Sequence, residues 1–232
     1  MTTVGGIAVA GAVGGCGATT VASGVALALA ALGQAPTVIG IDGHGGGPHM
    51  LWGVPVARTV GDLWSVRDEL DAAHVAHIVH VHADGLRLVS GPSTPAAMAA
   101  WNEKQTGRLA AALASATPWV ADVGRGDADM QRALIARAAV LVVVTSRSVM
   151  GANGCGAVIQ GHPGMRAAAV ASALPGRPDV SPRAFRALAP VEVVIGLPED
   201  ARGAEDVGAC RPPRGRGGMA AAIRHLLEAT GV

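Results

Sequence analysis

The sequence predicts a single α/β domain over residues 1–232, with a mostly parallel sheet of about seven or eight strands and helices on both faces. Short apolar runs alternate with helical patterns, and several of these runs are apolar throughout, which is typical of strands buried on both faces. Hydrophobic residues make up 50% of the chain, yet it contains one Phe and no Tyr. The predicted core is therefore built from small aliphatic side chains, which suits close packing of helices on a sheet.

The predicted elements follow in order from these runs. Strands are expected at 4–10, 37–42, 78–81, 86–89, 119–122, 139–145, 167–174 and 191–195, with the third and fourth forming a hairpin around Asp84-Gly85. Helices are expected from Thr19 to about Gly33 and at 60–74, 95–116, 127–138 and 219–230.

A glycine-rich segment at 11–20, Gly-Ala-Val-Gly-Gly-Cys-Gly-Ala-Thr-Thr, joins the first predicted strand to the first predicted helix. Glycines let backbone N–H groups curl around a phosphate, and the N-terminus of a helix adds a favourable dipole. In a complete P-loop a lysine reaches the β- and γ-phosphates and a hydroxyl binds Mg²⁺. Here Thr19 supplies the hydroxyl, but Ala18 occupies the lysine position. The predicted nucleotide-binding residues are Gly11, Gly14, Gly15, Cys16, Gly17, Ala18, Thr19 and Thr20.

The missing lysine limits the chemistry that this loop can perform. Lys104, the only lysine of the chain, falls in the predicted helix at 95–116, and no local pattern indicates an arginine that takes over its role. Losing a charge-assisted contact costs about 1.5–3 kcal/mol of binding, and the loss weighs most on the transferring phosphoryl group. The sequence therefore predicts weak binding of ATP and Mg²⁺ without efficient hydrolysis.

Two acids end predicted strands. Asp42 and Asp122 stand where the carboxyl ends of parallel strands face a ligand crevice. Together with Thr19 they are the predicted Mg²⁺ ligands, on condition that nucleotide binds. The alternative interpretation is that each is an acid that simply lies near the N-terminus of a helix.

These residues resemble the deviant P-loop of the ParA/MinD family, K-G-G-x-G-K-[ST]-[ST], with Val13 and Ala18 at the two lysine positions. Within that family the chain is most similar to the CpaE/TadZ-like branch, including the actinobacterial CpaE-like, septum-site-determining-like proteins. Gly85-Leu-Arg-Leu-Val-Ser-Gly91 resembles that branch's G-L-R-V-L-S segment, and Val120-Ala-Asp-Val-Gly-Arg125 stands where V-V-D-L-P-R is usual. His44 replaces a second acid found in many members. Because the first predicted strand starts at Val4, no counterpart of the family's N-terminal receiver-like domain is expected within residues 1–232.

The resemblance implies a non-catalytic or weakly nucleotide-binding adaptor that localises or helps to assemble a Flp (tight-adherence) pilus or a secretion apparatus. The alternative is an active ATP-dependent switch or enzyme in which another cation replaces the P-loop lysine. The implied partners are proteins of the pilus, secretion or polar-localisation system and a second copy of the chain. A DNA-partitioning role, a third hypothesis, fits poorly with a net charge of +1.

Four further features of the sequence bear on function. An odd number of cysteines (Cys16, Cys155, Cys210) predicts a cytoplasmic protein, with polar or peripheral placement at the inner face of the membrane implied by the resemblance. The cluster His74, His77, His80 and His82 is compatible with a metal site or with solvated histidines. The basic stretch at 211–216 is interpreted as a solvated loop. The apolar side of the last helix is expected to pack on the sheet rather than on a membrane.

Overall fold

In a computed structural model, the chain folds into one eight-stranded sheet with helices on both faces, as the sequence predicts. The structure describes residues 5–41, 47–55, 57–92, 94, 96, 100–126, 128–173, 179–209 and 217–232. The strands are β1 (Ile7–Gly11), β2 (Thr37–Gly40), β3 (His80–Val81), β4 (Arg87–Ser90), β5 (Trp119–Asp122), β6 (Val140–Ser146), β7 (Ala167–Ser172) and β8 (Val193–Leu197). Their order in the sheet is β3-β4-β2-β5-β1-β6-β7-β8.

The helices connect these strands and cover the sheet. They are α1 (Ala18–Ala31), α2 (Pro48–Leu51), a 3₁₀ helix (Val60–Val66), α3 (Ala72–Ala76), α4 (Glu103–Ala114), α5 (Asp129–Ile135), α6 (Val149–Gln160), α7 (Pro182–Leu188), α8 (Ala201–Gly208) and α9 (Gly218–Thr230). None of the helices in the described ranges is long and apolar enough to cross a membrane.

Every strand pairing is parallel except that of β3 with β4, which forms the predicted hairpin at one edge. All five residues of β1 and all seven of β6 are buried, because both faces of a parallel sheet carry helices. Helices α4 to α7 pack on one face, and α1, α2 and α9 pack on the other.

The last helix behaves as the sequence indicates. Met219, Ile223, Leu226 and Leu227 of α9 are buried in the cluster that also contains α1. The apolar side of α9 is therefore used inside the protein and is not presented to a membrane.

The single helix predicted at 60–74 is wrong. A 3₁₀ helix starts at Val60, where Thr59 and Asp62 form a capping box, and α3 starts separately at Ala72. Asp71 causes the break, because its carboxylate accepts hydrogen bonds from the N–H groups of Ala73 and His74 and so caps a new helix.

The helix predicted at 95–116 is not one continuous element: Ala96 is helical, the chain turns at 100–102, and α4 begins at Glu103. Asn102 and Gln105 cap each other across the first turn, which fixes that start. Of the predicted segment before it, residues 95 and 97–99 lie outside the described ranges.

Candidate nucleotide site

The glycine-rich loop leaves β1 at Gly11 and enters α1 at Ala18, at the carboxyl edge of the sheet. Gly15 and Gly17 have φ values of +71° and +90°, which side chains with a Cβ rarely adopt. Gly17 is the N-cap of α1 and provides no side chain to cap the first N–H groups of the helix. Those N–H groups are the donors that would face an anion.

Two backbone hydrogen bonds fix the start of the loop between its neighbours. The N–H of Gly11 donates to the carbonyl of Gly124 over 2.6 Å, and the N–H of Ala12 donates to the carbonyl of Val144 over 2.8 Å. The start of the loop is therefore held by β6 and by the turn that follows β5.

The outer side of the loop has room for a bound group. A Cβ built on Gly14, Gly15 or Gly17 meets no atom within 4 Å, whereas one on Gly11 would lie 2.9 Å from the Sγ of Cys16. Open space therefore lies beside Gly14, Gly15 and Gly17, whereas Gly11 packs against Cys16. This space and the uncapped helix donors fit a phosphate group.

The structure brings together Thr19 and Asp122, two of the three predicted Mg²⁺ ligands, and their binding of Mg²⁺ stays a prediction. The hydroxyl of Thr19 donates to Oδ2 of Asp122 over 2.5 Å, and Oδ1 of Asp122 accepts from the N–H of Gly124 at 3.2 Å. Asp122 is only 1% exposed. Because the hydroxyl proton is directed to Asp122, the lone pairs of the Thr19 oxygen can still reach a cation.

The other predicted Mg²⁺ ligand, Asp42, lies outside the described residues, as does His44. Its neighbour Ile41 donates its N–H to the carbonyl of Asp122 over 3.0 Å and accepts from the side chain of Gln131 at 3.1 Å. The role of Asp42 stays a prediction.

Ala18 brings no charge to the loop. Its Cβ lies 3.5 Å from the position that a Cβ on Gly11 would take, and it packs against the apolar cluster under α1. Lys104 is exposed in the first turn of α4, on the opposite face of the sheet from α1, so it does not stand in for the missing lysine.

The histidine cluster does not assemble into a metal site. His74 contacts Asp71 at 2.8 Å, whereas His82 contacts Asp84 at 3.2 Å and stacks edge-on with Trp52. Within the described ranges, no three His, Cys, Asp or Glu side chains are grouped to hold a metal ion.

Two features of the site escaped the sequence analysis. One is the turn at Gly124, whose carbonyl accepts a hydrogen bond from the N–H of Gly11. The sequence pattern that indicates this turn is the pair of glycines on either side of Arg125, just after the acid that ends β5. The other is helix α6, which crosses the loop so closely that a Cβ on Gly154 would lie 3.0 Å from the carbonyl oxygen of Ala12.

The fold and the site define a P-loop NTPase-like α/β protein: a buried strand, a glycine-rich loop, a helix, and a threonine next to a strand-end aspartate. No protein-family model matches the sequence, and no curated protein matches it significantly.

Comparison of structures identifies the fold as that of the ParA/MinD ATPases. A ParA family ATPase from Chlorobium tepidum TLS superposes with a TM-score of 0.80 at 14% identity, over 95% of this chain and 96% of that one. The septum site-determining protein MinD from Pyrococcus horikoshii OT3, complexed with Mg-ADP, gives 0.75 at 16% identity, over 99% and 96%. MinD in the MinC:MinD cell division complex of Aquifex aeolicus gives 0.72 at 15% identity, over 97% and 96%.

Proposed function

We propose that this chain is a ParA/MinD-like adaptor that binds Mg-ATP weakly, hydrolyses it slowly or not at all, and positions a partner assembly in the cell. One observation carries the proposal: an open glycine loop with Thr19 held on Asp122, but with Ala18 where a lysine would contact phosphate. The arrangement keeps the shape of a phosphate site and lacks its principal charge.

The residues of the loop fit nucleotide and Mg²⁺. The outward donors are the backbone N–H groups of the glycine loop and of the first turn of α1. Thr19 would ligate Mg²⁺ directly, and Asp122 would hold the Thr19 hydroxyl. The MinD structure from Pyrococcus horikoshii was solved with Mg-ADP, which supports the same ligand class here.

The positioning role rests on the fold and on the resemblance to CpaE/TadZ-like proteins. Its partners would be proteins of a Flp pilus or secretion apparatus, together with a second copy of the chain. MinD of Aquifex aeolicus was solved in complex with its partner MinC, which supports a protein ligand rather than a small substrate.

Calorimetric titration with Mg-ATP and a sensitive phosphate-release assay test the proposal. We expect measurable binding that Thr19→Ala and Asp122→Ala weaken, with negligible phosphate release, while circular dichroism confirms that both variants are folded. Ala18→Lys should tighten binding by about tenfold or more, since it restores a charge-assisted contact worth about 1.5–3 kcal/mol. Turnover at ordinary ATPase rates, abolished by Asp122→Ala, would overturn the adaptor and favour an active switch.

A tagged chain tests the positioning role in cells that carry the pilus or secretion system. We expect foci at the site of the apparatus. These foci should persist in Ala18→Gly, because neither an alanine nor a glycine at this position has a side chain that can contact phosphate. A diffuse distribution in cells with an assembled apparatus would contradict this role.

A further inference from the structure

We propose that Arg125 supplies the phosphate-binding cation that Ala18 cannot provide. The inference rests on the proposed nucleotide binding and assigns a residue to it. It concerns the strength of ground-state binding and not the rate of hydrolysis.

The position of Arg125 beside the loop follows from two contacts. Gly124, the preceding residue, accepts the 2.6 Å hydrogen bond from Gly11, and the Cβ of Ala18 lies 3.5 Å from the place of a Cβ on Gly11. Consecutive Cα atoms are about 3.8 Å apart. Arg125 and the lysine position therefore flank the same residue, Gly11, at the carboxyl edge of the sheet.

The local backbone presents Arg125 at the tip of a turn. The N–H of Gly126 donates to the carbonyl of Val123 over 2.9 Å, which closes a four-residue turn with Arg125 at its third position. Gly124 and Gly126 have φ values of +56° and +74°. Arg125 therefore has a glycine on each side, and its backbone lies beside the start of the loop at the carboxyl edge of the sheet.

The guanidinium of Arg125 is able to contact a bound phosphate. Its side chain is exposed, and it forms no hydrogen bond or ion pair with the residues that the structure covers. Other arginines near the sheet are engaged: Arg132 pairs with Asp129 and Arg147 with Asp179. A guanidinium binds phosphate oxygens with two parallel N–H groups, so an arginine in this place can replace the ammonium of a lysine.

The experiment compares Arg125→Ala with Arg224→Ala, a control that removes the same charge from an exposed position on α9. Titration with Mg-ATP and with inorganic pyrophosphate is expected to show about a 10- to 100-fold loss of affinity for Arg125→Ala only. Arg125→Lys should fall between the wild type and Arg125→Ala, because it keeps the charge and loses the two-pronged geometry. Adding Ala18→Lys to Arg125→Ala should restore binding.

Each of the following results would overturn the role of Arg125. Equal binding by the wild type and Arg125→Ala overturns the role of Arg125 and leaves the proposed function intact. Equal losses in Arg125→Ala and Arg224→Ala assign the effect to overall charge and overturn it as well. Failure of Ala18→Lys to restore binding, or a lower melting temperature of Arg125→Ala, attributes the loss to the shape of the turn and also overturns it. No binding by the wild type overturns both proposals.

Discussion

The hydrogen bond between Thr19 and Asp122 is expected to stabilise the protein even without nucleotide. Thr19→Val keeps the branched shape of the side chain and a similar helix propensity, so it removes little except the hydroxyl. Asp122 is 1% exposed, and it would keep the N–H of Gly124 but lose its 2.5 Å donor. A hydrogen bond to a charged group contributes about 1.5–3 kcal/mol, so the free energy of unfolding should fall by about that amount.

Thermal unfolding in buffer with EDTA and no nucleotide measures this loss. For a chain of 232 residues about 1 kcal/mol corresponds to roughly 3 °C, which predicts a melting temperature about 4–9 °C below that of the wild type. Thr19→Ser is the matched control, because it keeps the hydroxyl and should lie much closer to the wild type. Equal melting temperatures for Thr19→Val and Thr19→Ser would refute the stabilising role of this bond.

Three further predictions concern the sheet and its packing. Gly151→Ala should lower the free energy of unfolding by about 1–3 kcal/mol, because its Cβ would lie 2.2 Å from the carbonyl oxygen of Ser146. Gly107→Ala on α4 is the control, because its Cβ meets no atom within 4 Å, and it should be neutral or stabilising. Equal urea midpoints for the two variants would contradict this prediction. Burial raises the pKa of Cys155 from 9.0 to about 12, so its contribution to stability is complete below pH 9 and is lost as the pH rises toward 12. Unfolding between pH 8 and about pH 11 should therefore depend less on pH in Cys155→Ala than in the wild type, and identical profiles would count against it. Trp119→Leu, at a residue 1% exposed, should lower the urea midpoint measured by circular dichroism, and an unchanged midpoint would show that the ring is not needed there.

Continuous apolar runs made much of the sheet predictable. β1 and β6 are buried over their whole length, and such runs between turn signals indicate strands of a parallel sheet. The meeting of Thr19 with Asp122 also followed from sequence, because the carboxyl ends of β1 and β5 share one edge. These features depend on local pattern and on the geometry common to parallel sheets.

Helix α6 could not be predicted in the same way. Its sequence includes Gly151, Gly154 and Gly156, and glycine lowers helix propensity by about 1 kcal/mol per residue. In the folded chain a Cβ on these residues would lie 2.2 Å from the carbonyl oxygen of Ser146, 3.0 Å from that of Ala12 and 2.5 Å from that of Leu188. The glycines permit close tertiary packing, which offsets their poor propensity and is invisible to a local pattern.

The two bonds that hold Gly11 and Ala12 join main-chain atoms only. Substitution of a side chain in the loop therefore leaves its anchors in place, provided that the glycine conformations are kept. An alanine at position 18 is therefore compatible with the path of the loop. The chain has the fold of the ParA and MinD structures although only 14–16% of its residues are identical to theirs.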